Sequence, residues 1–98
     1  MARIWAYLRS KQRIAKQTVV EAEIPDTWAE AEAMRLIGYE LDIPQPMWLS
    51  KHENEMQNFS RTAFTPDQFV ENVNFDQLVI EILHEKRRSN DPRNDFSF

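Results

Sequence analysis

Few side chains in this sequence have the types and spacing that chemistry requires. His52, Glu53 and Glu55 lie close together, and His84-Glu85 forms a second pair. Imidazole and carboxylate are metal ligands, so a divalent cation is the first chemistry to consider. Two ligands on one helical face must be three or four residues apart. His52 and Glu55 satisfy that once, but His-Glu-x-x-His does not occur. A solvated helix start, whose acids favour the positive end of the helix dipole, explains the cluster more simply. No metal or other cofactor is therefore expected. Glu40 falls on an otherwise apolar helical arc, where burial would raise its pKa and make it a general base. The plainer expectation is that it reaches solvent near the helix end or pairs with a hairpin cation such as Arg3 or Lys16. Ser10, Ser50 and Ser60 with two histidines define no nucleophilic triad. Gly38 is the only glycine, which rules out phosphate-binding loops of the usual kind. No catalytic residue is assigned, and an enzyme would have to rest on Glu40 or His52.

The elements that would position these groups come from one small domain. Ninety-eight residues suffice for a single core. The absence of cysteine excludes a disulfide framework and fits a reducing compartment, with the cytoplasm as the default. The longest apolar stretch, around Leu78-Val79-Ile80, is far short of the ~20 residues of a membrane span. Arg3, Arg9, Lys11 and Arg13 break up any signal-peptide core. The net charge of −4 argues against a general nucleic-acid binder, but it conceals an asymmetry. Residues 1–20 hold five bases and no acid, residues 21–85 hold fourteen acids and three bases, and residues 86–98 hold four bases and two acids. Opposite charges within a small domain usually neutralise one another, so an internal use of this asymmetry is the simpler expectation.

Period-two alternation over Arg3–Arg9 sets Ile4, Ala6 and Leu8 against Trp5 and Tyr7 and reads as a strand. With Val19 and Val20 following a short polar link, a β-hairpin to Ile24 is expected. Thr27-Trp28-Ala29-Glu30 has capping-box spacing and predicts the start of a long helix, with Ala29, Ala33, Met34, Leu36, Ile37 and Leu41 on its apolar arc. Trp28 and Tyr39 fall outside that arc, and Ile43-Pro44-Gln45-Pro46 stops the helix. Ser50-Lys51-His52-Glu53 repeats the capping spacing and predicts a shorter helix to Phe59. Thr65-Pro66 predicts a third, to about Asn72. Phe75–Glu85 is the clearest strand. The fold class expected is α+β: an N-terminal hairpin plus a C-terminal strand in a three-stranded, mainly antiparallel sheet, packed with one long and one or two short helices. Residues 1–85 form the domain, and residues 86–98 are a polar, basic tail expected to be mobile.

With the hairpin, Trp48-Leu49, Phe64-Thr-Pro-Asp-Gln-Phe69 and Asn74-Phe75-Asp76 in view, the chain resembles a family of small uncharacterised cytosolic proteins of anaerobic Gram-positive bacteria. The resemblance spans Arg3 to Glu85. It implies a compact bacterial domain and transfers no activity and no catalytic residue.

If Leu78, Ile80 and Ile82 join Ile4, Ala6 and Leu8 beneath the helices, the reverse of the sheet presents Trp5, Tyr7, Val79 and Leu83. A large apolar patch usually marks an interface, most often a two-fold homodimer. These four residues are the candidate binding site, for a second copy or another protein partner. A helix lying over that face would remove the patch. The rival readings are a nucleic-acid-associated protein, in which Arg3 and Arg9 flank the Trp5 and Tyr7 rings, and a small enzyme.

Overall fold

The computed structural model describes residues 1–83. The expectations for the tail and for His84-Glu85 lie outside the described residues. The elements run β1 (Ala2–Ser10), β2 (Arg13–Ala22), α1 (Glu32–Leu41), α2 (Ser50–Phe59), β3 (Arg61–Phe64), a single 3-10 turn at Pro66–Gln68 and β4 (Gln77–Leu83). The fold is α+β, as the sequence pattern implied. The sheet, however, has four strands in the order β2-β1-β4-β3, every pair antiparallel. β3 is the unforeseen strand. It is only four residues long, and its alternation amounts to Thr62 and Phe64 turned to the core.

The β1–β2 hairpin closes without glycine. Lys11 and Gln12 both adopt left-handed backbone, with φ of 54° and 68°, as a two-residue primed turn requires. Non-glycine residues resist that region. Asp76 secures the turn from outside: its carboxylate accepts the Lys11 N–H at 2.8 Å, and its own N–H donates to the Arg9 carbonyl at 2.7 Å.

Both helices pack on one side of the sheet. Ala33, Met34, Ile37 and Leu41 of α1 and Met56 of α2 enter the same cluster as Ile4, Ala6, Leu8, Phe64, Leu78 and Ile80. Fully burying each larger aliphatic side chain contributes about 1.5–3 kcal/mol. Register sets the division of faces: Ile4 stands opposite Val20 and Ile82, Ala6 opposite Ile80, and Leu8 opposite Leu78.

Several boundaries differ from the sequence reading. α1 begins at Glu32 and not at Thr27, and the turn before it is tied instead to Glu53 of α2. Its carboxylate accepts the Trp28 N–H at 3.0 Å and the Ala29 N–H at 3.2 Å, holding these residues in a turn. Freed from the helical wheel, Trp28 is buried in the core and stacks on Trp48 at 5.9 Å. Each helix spans ten residues, so neither is the long one. α1 ends at Leu41, before the prolines, where Asp42 turns left-handed and its N–H returns to the Gly38 carbonyl. Gly38 leaves room for Gln45, whose side-chain amide donates to the Met34 carbonyl at 2.9 Å; a Cβ at Gly38 would collide with that amide. The third predicted helix shrinks to its first turn, capped through the Thr65 N–H to the Gln68 side chain. The C-terminal strand starts at Gln77, two residues later than expected, because Phe75 is buried edge-on against Phe69 and Asp76 clasps the hairpin turn.

Candidate interaction surface

The strand register decides which side chains share the face opposite the helices. Tyr7 stands beside Val79, Trp5 between Val19 and Glu81, and Arg3 between Glu21 and Leu83. Trp5, Tyr7, Val79 and Leu83 therefore all project from that face, as expected from alternation. Their environments differ. Tyr7 and Val79 are buried, whereas Trp5 and Leu83 are half-buried. The Trp5 and Tyr7 rings pack at 4.4 Å, tilted by 36°. The Trp5 indole N–H donates to Gln17 Oε1 at 2.9 Å, and Arg61 reaches the Tyr7 hydroxyl at 3.4 Å. Among the described residues neither helix covers this face, since the buried sides of both join the cluster on the other.

The apolar surface left open lies toward β2. Val19, opposite Trp5, is 45% exposed, and Ile14, opposite Arg9, is 47% exposed. Sequence reasoning passed over both, although the alternation of β2 against β1 was a signal that could have found them. A register shift between Leu8 and Arg9 turns Ile14 to the same side as Val19. The charges on this face are mixed: Arg3, Arg9 and Arg61 are interspersed with Glu21 and Glu81. A face that tracks a phosphate backbone needs a coherent positive field, and this one lacks it.

The residues considered for catalysis are scattered. Glu40 is exposed rather than set on the apolar arc, because it stands at the arc's edge in the last turn of α1. It pairs with neither Arg3 nor Lys16; the Lys16 ammonium instead donates to the Leu41 carbonyl at 2.9 Å. His52, Glu53 and Glu55 have three separate tasks. Glu53 binds the Trp28 and Ala29 amides, and Glu55 accepts the Thr62 hydroxyl at 2.5 Å. His52 is fully buried, stacked on Phe64 at 4.2 Å and edge-on to Trp48. Its Nδ1 accepts the Leu49 N–H at 3.0 Å, so the helix start is capped through Leu49 and His52 and not by the Ser50 hydroxyl. The neutral ring then carries its proton on Nε2, which has no hydrogen-bond partner among the described residues. Burial holds the His52 pKa below the ordinary value; the neighbouring Gln68 side chain opposes that shift, and Lys51 reinforces it. No group of three or more potential metal ligands forms among the described residues. Four surface clefts of about 350 to 480 Å³ open elsewhere, and neither Glu40 nor His52 lines them. No helix among the described residues is long and apolar enough to cross a membrane.

Comparison of the chain with protein-family models, with curated proteins and with solved structures found no match.

Proposed function

We propose that this chain is a small protein-interaction module of the bacterial cytosol that assembles with a second copy through the helix-free face of its sheet. Trp5, Tyr7, Val79 and Leu83 are the anchors of this reading. The observation that carries it is their placement: the register sets all four on one face, while both described helices pack on the other. Aromatic side chains that project from a sheet face beside exposed Val19 and Ile14 fit a surface evolved to be covered. The mixed charges around them suit a protein partner better than a polyanion.

Light scattering over a concentration series tests the reading. The expected result is a mass that rises from monomer to dimer, and Trp5→Glu returns it to monomer with the far-ultraviolet circular dichroism unchanged. A native protein that stays monomeric at the highest attainable concentration refutes it.

A further inference from the structure

The two helices are held on the sheet by unequal means. α1 buries Ala33, Met34, Ile37 and Leu41. α2 buries only Met56 and His52, so one of its two buried side chains is a ring that can take up a proton. Isolated helices shorter than ~12–15 residues are marginal in water, and α2, with ten, depends on its packing. The chain on either side of it is fastened separately. The Met47 N–H donates to the Gln68 carbonyl at 2.8 Å, and the Ser60 carbonyl accepts the Ile82 N–H at 2.8 Å.

His52 fits its position only as a neutral ring. Its Nδ1 accepts the Leu49 N–H at the start of α2, while the ring is stacked on Phe64 and edge-on to Trp48. A second proton goes to Nδ1, sets donor against donor at Leu49 and buries a charge that has no hydrogen-bonded counter-ion among the described residues. The groups around it do not compensate. The Gln68 side chain, Glu55 and the Ala63 carbonyl favour the cation, but burial outweighs each of them and Lys51 opposes it. The other charges are engaged elsewhere: Glu55 accepts the Thr62 hydroxyl, Glu53 the Trp28 and Ala29 amides, and Asp67 the Thr65 hydroxyl. Arg61 of β3 is turned to Tyr7 on the opposite face of the sheet.

We propose that α2 is an acid-released latch: when His52 is protonated the helix leaves the sheet, while β1, β2, β4 and α1 stay packed, and Phe64 and Trp48 are uncovered. The released ring titrates at its ordinary value of 6.5, whereas the packed ring resists the proton to lower pH. Acid therefore draws the equilibrium toward release. Between pH 7.5 and 5.5 the released fraction rises by up to about tenfold.

Amide exchange of the whole chain at these two pH values, corrected for the pH dependence of the chemical exchange step, tests the latch. Protection over Ser50–Phe59 is expected to fall in acid by up to about tenfold, while residues 4–8 and 78–82 keep theirs. His52→Gln cannot take up the proton and leaves Glu53 and Glu55 in place, so it should protect α2 equally at both values. In the wild type, the ring resonances of His52 should titrate with the same midpoint as the opening of α2, a check that holds even if the variant does not fold. Unchanged protection of α2 overturns the latch. So does a loss shared by the central strands, which is unfolding of the whole domain. A pH dependence that survives in His52→Gln, or an opening whose midpoint differs from that of the ring, overturns the role of His52.

Discussion

On one side of β1, Ile4, Ala6 and Leu8 are packed into a cluster to which both helices and all four strands contribute. On the other, Trp5 and Tyr7 rest on each other and are tied at their polar ends to Gln17 and Arg61. Both faces bury aromatic or aliphatic surface, but only the first is closed by a second layer. The inner face gains its stability from the exclusion of water and from close packing, which fails when a single side chain is cut back. The outer face is held by neighbours along and across strands, each interaction being worth at most about 1 kcal/mol. The inner face therefore has little freedom to change. On the outer face the freedom is greater at Trp5, Val19 and Ile14 than at the buried Tyr7 and Val79.

The contrast is tested most severely at Phe64, fully buried between Trp48 and His52. Phe64→Ala is expected to cost about 3–5 kcal/mol in a urea titration. A loss below 1 kcal/mol would show that the aromatic cluster under α2 does not hold the inner layer together.

A smaller effect is expected from pH. His52 is neutral in the fold, its pKa lowered from 6.5 chiefly by burial, and its Nδ1 must stay unprotonated to accept the Leu49 N–H. The unfolded chain takes up the proton first. Stability is thus full above pH 6.5, falls as the pH drops below it, and levels once native His52 itself protonates. Each pH unit between the two protonation steps is worth about 1.4 kcal/mol. Chemical denaturation at pH 7.5 and 5.5 measures the difference, and His52→Gln, which keeps an acceptor at that position, should flatten it. An unchanged slope in that variant would assign the effect to other groups.

The smallest effects belong to the outer face. Gln17→Ala and Arg61→Ala are each expected to change unfolding free energy by no more than about 1 kcal/mol, since the first removes one exposed hydrogen bond and the second one long, half-buried hydrogen bond. A loss comparable to that of Phe64→Ala would make the two faces equivalent and would argue that the outer layer is structural.

Much of the fold was legible because it follows from local periodicity. Alternation in β1 and β4 sorted Ile4, Ala6, Leu8, Leu78 and Ile80 from Trp5, Tyr7 and Val79 without any knowledge of the neighbours. The hairpin was readable from two extended runs around a short polar link. α2 was readable as an element, but its cap was not. The expected Ser50 spacing is the usual signal, whereas the actual acceptor is an imidazole, which seldom takes that role. The start of α1 was misread because a local signal, Thr27 to Glu30, stands over a turn tied to a distant carboxylate. β3 was missed because four residues carry too little periodicity to stand out. Alternation alone placed Trp5, Tyr7, Val79 and Leu83 on one face of the sheet. Which of them remain accessible, and the prominence of Val19 and Ile14, depended on cross-strand neighbours.

The sequence by itself determined the α+β class, the two faces of the central strands and the absence of any motif that commits the chain to a reaction. Those properties are set by residue type and by spacing along the chain. Tertiary structure decided that Glu53 would bind the amides of a distant turn, that His52 would be buried against Phe64 and Trp48, and that Glu40 would stand in solvent. It also decided that, among the described strands, β2 and β3 would be the edges of the sheet and the C-terminal strand would lie inside it. These outcomes depend on which backbone amides and which strands meet across long separations, and single-chain periodicity carries no record of such meetings.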